Sequence, residues 1–401
     1  MNKQTELLKR RLTSGLLSLA LVTAALITSA GAVQAQPPTS TKSAPTSTAT
    51  AGCAHLRAAL KTMKPGKAAC MDKVAAVPDT AAVKHWQRSL TVAPGAVPCQ
   101  LGQLALDRTS SCYEEFTTYR VIQVPGGEVL GTGTIGVAST TALDTESRTW
   151  RHNVRLGLLD ATGVVAIGTT ANVSLDCTTG TTGGNPPCTA VGGGVQSLPY
   201  PTTNVDYPFS VTSPNVTYPS WDQYTHSPTP ILTVFNPAAT EQAPPGRMSQ
   251  AGQVRCDSTP YVSSRAGGCV YPAYTPTYSI SVHDPLVDQV AWHILWAQQN
   301  LNNAWGVEGV GPALHRTTSR DVINANRRTA CPRSRHRPPG TSCDEYPFAS
   351  SYEGASRNAD YSWHMVPRDQ NSREGGSDYR LKFYRDNRVL DHDAFWVHIV
   401  R

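Results

Sequence analysis

Ten cysteines fall along this chain as five sets of close neighbours: Cys53 and Cys70, Cys99 and Cys112, Cys177 and Cys188, Cys256 and Cys269, Cys331 and Cys343. The offsets within each set are 17, 13, 11, 13 and 12 residues. No Cys-x-x-C occurs, so a zinc ribbon or a thioredoxin-like redox site has no support. An even number of cysteines points to structural disulfides made in an oxidising compartment. Pairing each cysteine with its neighbour closes short loops at small entropic cost. Ten cysteines still leave the connectivity open.

The N-terminal segment agrees with export. Lys9-Arg10-Arg11 precede the apolar run Leu16–Ile27, and small residues lead to Val33-Gln34-Ala35. This order is that of a signal peptide over residues 1–35. No second stretch is apolar enough to span a membrane, so the expected product has no membrane contact after signal cleavage and is secreted. Residues 36–52, rich in Pro, Thr and Ser, read as an extended linker. The chain of 401 residues is 39% hydrophobic and 16% charged. That composition excludes a disordered chain and a polytopic membrane protein. The length predicts two or three domains.

Residues 53–249 read as a disulfide-containing, β-rich accessory region resembling a sandwich. A helix is expected near Ala54–Met63, where Leu56, Leu60 and Met63 share a face. Beyond Cys112 come short β-type runs, Thr117–Val124, Val129–Val137, Val154–Leu158 and Val164–Val173, punctuated by glycine pairs. Residues 180–250 are rich in Pro, Gly, Thr and Tyr and read as long loops with occasional strands such as Pro230–Phe235. The last third, placed at 250–401, changes period. Val287, Val290, Ala291, Ile294 and Leu295 form the apolar stripe of a helix that ends near Asn303. His293 on it reads as a packing or surface histidine, since no metal partner lies at helical spacing. A second helix is expected over Thr318–Arg328.

Chemistry concentrates near the C-terminus. Asp344, Glu345 and Glu353 lie within ten residues. Adjacent carboxylates can hold a hard divalent cation or act as a general base, and Asn371 can add a neutral oxygen ligand. Upstream, His315–Arg337 holds seven arginines, among them Arg327 and Arg328, against one acid. The formal charge of the whole chain is only +6, so the basic signal is local. Acids beside an arginine strip suit an enzyme that grips a phosphate backbone and cuts it. Read singly, the same residues also describe a solvated acidic turn, a solubilising loop and a helix cap at Asn371.

The string Cys343-Asp344-Glu345-Tyr346-Pro347-Phe348-Ala349-Ser350, then Glu353-Gly354, Gln370-Asn371-Ser372 and Asn387-Arg388-Val389-Leu390, resembles the NucA/NucB family of secreted deoxyribonucleases. The likeness is clear over 315–401. It implies an α+β domain with a compact core like the ββα-metal nucleases, one divalent ion (Mg²⁺ or Mn²⁺), DNA as substrate and little sequence preference. It further implies Asp344 as the base that activates water and Asn371 as a metal ligand opening the following helix. Glu345 and Glu353 would orient water or ligand, or support the fold, and Arg373 would contact phosphate. Asp378 is the nearest acid for a second ligand position. Ala355 departs from the family's Glu-Gly-Gly. The alternative is a non-catalytic extracellular protein binding wall, matrix or DNA, with Trp221, Tyr224, Tyr271 and Tyr274 as stacking aromatics.

Overall fold

The computed structural model describes residues 52–74, 79–90, 97–178, 186–201, 204–214, 220–248, 252–262 and 267–401. The expected signal peptide, and the linker up to residue 51, lie outside the described residues.

The first part of the chain runs through α1 (Cys53–Ala59), β1 (Gly66–Lys73), α2 (Ala81–Ser89), β2 (Ala105–Leu106), β3 (Ser110–Val124), β4 (Val129–Ala142), β5 (Thr149–Ala161) and β6 (Thr170–Asp176). It continues through β7 (Thr189–Gly192), β8 (Gly194–Ser197), β9 (Val205–Thr212), β10 (Gln223–His226), β11 (Thr229–Phe235), β12 (Gly246–Arg247), β13 (Val254–Asp257) and β14 (Gly268–Val270). One sheet orders its strands β1-β3-β4-β5-β9-β7, with β2 at the side of β3. A second orders them β12-β11-β6-β8. Alternation explains the packing. Tyr119, Val121, Ile135, Val137, Val154 and Leu156 from the first sheet meet Ala171, Val173, Leu232 and Val234 from the second in one core. The β-rich region is thus two sheets packed on each other, with a third, three-stranded sheet of order β10-β13-β14 adding Val254, Cys256 and Cys269 to the same core.

Helix α2 covers part of this region with Trp86, which is fully buried. Its indole sits over Gly136 and Gly157, partners across β4 and β5. A Cβ on either glycine would come within 2.8 Å of the ring, so only glycine leaves the space. The Trp86 Nε1–H donates to Glu114 at 3.1 Å.

All ten cysteines bond to their nearest neighbours: Cys53–Cys70, Cys99–Cys112, Cys177–Cys188, Cys256–Cys269 and Cys331–Cys343. This pairing resolves the connectivity that spacing left open.

The second core comprises β15 (Thr277–Ser281), α3 (Asp288–Asn300), β16 (Leu314–His315), α4 (Arg320–Ala330), β17 (Thr341–Tyr346), β18 (Ser362–Pro367), α5 (Arg368–Glu374), α6 (Arg380–Asp386) and β19 (Ala394–Val400). Strand β19 lies between β15, to which it is parallel, and β16, to which it is antiparallel. Its Phe395, Val397 and Ile399 pack with Ile294, Leu314 and Val389. β17 and β18 form a separate antiparallel pair, and α5 follows β18 without a break.

Packing divides the cores beyond the expected boundary at 250. Val254, Cys256, Cys269 and Tyr271 belong to the first core, and the second begins at Tyr278. Tyr271 is fully buried, and its hydroxyl shares a hydrogen bond with Ser111 at 2.7 Å, so it is not a surface stacking residue. The stretch 180–250, expected as long loops with occasional strands, carries six strands among its described residues, and the expected strand Pro230–Phe235 is β11. The run Val164–Val173 is divided between a 3₁₀ turn at Gly163–Ala166 and the start of β6.

The two cores meet through buried ion pairs. Arg388 and Asp257 are both fully buried and paired, with Arg388 Nε donating to Asp257 Oδ2 at 3.0 Å. Asp393 accepts from Arg255 at 2.6 Å and from Arg108 at 3.1 Å. Arg108 also donates to the carbonyls of Asn387, Arg388, Tyr271 and Tyr274. Burial, and then the charge of Arg255, pull the Arg108 guanidinium down to about 10. Burial alone would raise the Asp393 carboxyl, but the hydrogen bond and charge of Arg255 hold it below the usual range.

Candidate active site

The site is built on the β17–β18 hairpin. Along β17, Asp344 and Tyr346 are buried, as alternate residues of one face. A buried carboxylate requires a partner, and α3 supplies it. His293 Nδ1 lies 2.6 Å from Asp344 Oδ2, and His293 Nε2 lies 2.9 Å from Ser362 Oγ on β18. Both side chains are almost wholly buried. The result is a chain of three groups, Ser362, His293 and Asp344, drawn from three elements. His293 was expected as a packing or surface residue. It is buried, but it holds the carboxylate, and its partner sits 51 residues away, where helical spacing cannot reveal it.

Asn371 lies on α5. Its Nδ2 donates to Ser342 Oγ at 3.0 Å and to the Cys343 carbonyl at 3.1 Å. The amide nitrogen is therefore spent on β17, which leaves Oδ1 as the group offered to a ligand. Glu345 lines the same cavity as Asp344 and Asn371. Burial, and then the negative charge of Asp344, push its carboxyl up to about 7, against the opposing charges of Arg380 and Arg327. Glu345 Oε2 also stands 3.6 Å from Cys331 Sγ, a disulfide sulfur with no proton to give.

The cavity has a volume of about 490 Å³, and Arg327, Arg337, Arg368 and Arg380 form its basic wall. Arg380 is neutralised by the fully buried Glu374, which accepts from its Nε at 2.9 Å and its second terminal nitrogen at 3.0 Å. Among the described residues, Arg327, Arg337 and Arg368 form no ion pair. The Cys331–Cys343 disulfide ties the end of α4, and with it Arg327, to β17.

Four residues singled out by sequence lie off this cavity. Glu353 accepts from the His315 backbone N–H and lies 2.8 Å from its Nδ1, so it clips β16 to a loop. Asp378 does not continue the face of Asn371. Helix α5 stops at Gly375, and the exposed Asp378 accepts from Ser377. Arg373 is two residues past Asn371, about 200° round the helix, and is exposed. Arg328, one residue past Arg327, is turned about 100° away and is exposed too. Ala355 adopts no positive φ. The tight position is Gly354, where a Cβ would come 2.2 Å from Asn326 Nδ2.

Among the described residues no group of three or more His, Cys, Asp or Glu is placed to hold a metal ion. The available donors are all oxygens: Asp344, Glu345 and the Asn371 amide. Such a set suits a hard cation that keeps several waters, as Mg²⁺ does. The raised Glu345 is a carboxylate that a nearby positive charge would relieve.

Residues 307–398 match the family model described as Deoxyribonuclease NucA/NucB. The match covers 92 of 401 residues, from the segment after α3 into β19. It includes Asp344, Glu345 and Asn371 and leaves His293 outside. No curated protein matches the chain, and no solved structure does.

Proposed function

With a NucA/NucB family domain at residues 307–398, we propose that the protein is a secreted, metal-dependent endodeoxyribonuclease that hydrolyses DNA phosphodiesters with little sequence preference. The observation that carries this reading is the meeting of Asp344, held by His293, with Asn371 in an arginine-walled cavity. The order β17, β18, α5 supports a ββα-metal core.

A divalent ion such as Mg²⁺ or Mn²⁺, held through Asn371 with Glu345, would supply positive charge at the phosphate. The remaining work falls to side chains. Arg327, Arg337 and Arg368 neutralise the scissile phosphate and its neighbours. Asp344 Oδ2 is fixed by His293, so Oδ1 faces the attacking water. As the water oxygen bonds to phosphorus, Asp344 takes its proton and the bond to the 3′ oxygen breaks. The 3′ oxygen takes a proton from solvent, giving a 3′ hydroxyl and a 5′ phosphate. Contacts to phosphate rather than to base edges explain weak sequence preference. Five disulfides support secretion, because such bonds persist in oxidising compartments.

The test is plasmid nicking by the full chain. Nicking is expected with Mg²⁺ or Mn²⁺ and is lost in EDTA, and Asp344→Ala abolishes it while the circular dichroism spectrum stays unchanged. Full activity in EDTA would sink the metal assignment. Normal nicking by Asp344→Ala would remove Asp344 from the mechanism, and no nicking in any metal would overturn the reading.

A further inference from the structure

Beside the arginine cavity lies a second cleft, of about 700 Å³, walled by aromatic rings. Helix α3 explains its origin. Val290, Ala291, Ile294, Leu295 and Ala297 turn into the second core. Trp292 and Trp296, at i and i+4, share the opposite face and line the cleft. They remain 51% and 55% exposed. Trp363 of β18, 39% exposed, lines it too. Trp292 and Trp296 thus leave flat ring surface open to water in the cleft, a surface suited to stacking.

Two observations identify what stacks. The first is continuity. His293 and Ser362 belong to the wall of the cleft, and His293 Nδ1 touches Asp344 of the arginine cavity. Trp363 is the cross-strand partner of Glu345. The two cavities therefore share the β17–β18 hairpin. The second is charge. The Arg335 guanidinium lies 3.4 Å over the Trp363 ring, which sets positive charge at the rim. A ligand that is aromatic on one side and polyanionic on the other fits both cavities together. Bases in a duplex hide their faces in the stack, whereas unpaired bases offer them.

We propose that this cleft binds unpaired nucleobases of the substrate strand, next to the scissile phosphate, and so gives the protein a preference for single-stranded DNA. The inference rests on the deoxyribonuclease reading for its substrate, but its own evidence is the aromatic cleft. Trp292 and Trp296 lie outside the segment that matches the nuclease family.

The experiment compares two labelled 12-mers by fluorescence anisotropy, with the full chain in EDTA. One is oligo-dT, and the other carries the same phosphates on abasic sugars. Wild type is expected to bind oligo-dT at least about tenfold tighter, the scale of one or two stacked bases. The Trp292→Ala/Trp296→Ala double variant should bind both alike, with its abasic affinity unchanged. Trp292→Phe/Trp296→Phe, which keeps flat rings, should restore most of the difference. Equal binding of both oligomers by wild type overturns the proposal, as does full discrimination by the alanine variant. Plasmid nicking by the same wild-type sample reads the nuclease activity separately. Nicking without base discrimination removes the cleft alone. Base discrimination without nicking in any metal removes the nuclease reading and leaves the cleft as a strand-binding site.

Discussion

Asp344 owes its position to a histidine that lines the neighbouring cleft rather than the arginine cavity. If His293 serves to orient the carboxylate, His293→Ala should lower the kcat for nicking by about a hundredfold, within the range usual for a disturbed general base, and leave KM nearly unchanged. His293→Asn, whose amide nitrogen can reach the Nδ1 position, should recover part of the loss. Equal losses in kcat for both variants, with a lowered melting temperature, would mean packing alone. By contrast, Asp378→Asn should nick at the wild-type rate, because that carboxylate bonds Ser377 in solvent. At this scale the sequence was legible where the cavity's residues are contiguous: Asp344 and Asn371 stand in the strings that carry the family resemblance, and both line the cavity. Arg337 belongs to the arginine strip, but Arg368, which shares the wall with it and with Arg327, stands outside that strip, and only the turn from β18 into α5 brings it to the cavity. A signal for His293 existed. It falls at i+3 from Val290 and i−4 from Ala297, inside the buried arc of α3, and a polar residue there must have a partner.

Strands β3, β4 and β5 were legible through alternation and length, with ends that run further than the apolar runs suggested. Strand β1 was not, because four successive residues of it are buried and period two is lost. In the stretch that follows, β11 was legible as Pro230–Phe235, whereas β7, β8, β10 and β12 escaped because each is four residues or fewer, too short for any pattern to rise above the Pro and Gly around them. The long strands also carry a pH dependence. His152 on β5 is buried between Ser139 and Thr141 of β4, at 3.0 and 3.1 Å. Burial pulls its imidazole from 6.5 down to about 4. Between those values the unfolded chain takes up a proton that the folded chain refuses, so stability falls as pH drops through 6.5 toward 4 and is flat above. For a fully buried group the loss is about 3 kcal/mol. His226, held by Ser213 at 2.8 Å, is shifted the same way by burial. Urea midpoints at pH 7.5 and 5.0 should differ for wild type, and the difference should shrink in His152→Asn.

Across the whole molecule, the junction of the two cores decides what can be cut away. Arg108 and Asp393 are separated by 285 residues, and no local pattern reports such a meeting. A chain trimmed to 250–401 loses Arg108 and strand β10, and it exposes the first-core residues Val254, Cys256 and Tyr271. It should be recovered insoluble or unfolded, as judged by gel filtration and circular dichroism. Within the full chain, Arg388→Ala strands Asp257 as a buried unpaired charge and should cost about 3–5 kcal/mol in urea unfolding. Asn387-Arg388-Val389-Leu390, part of the family resemblance, thus serves here as the fastening between cores. A last consequence follows from β19. It fills the middle of its sheet and follows every other element of the second core in the chain. Synthesis proceeds from the N-terminal side, and the first core can close while the ribosome is still at work. The second cannot, since Phe395, Val397 and Ile399 are among the last of its residues to emerge. A nascent chain halted before them carries Asp344 and Asn371 without the scaffold that aims them, so the cavity would stay unassembled until β19 had left the ribosome.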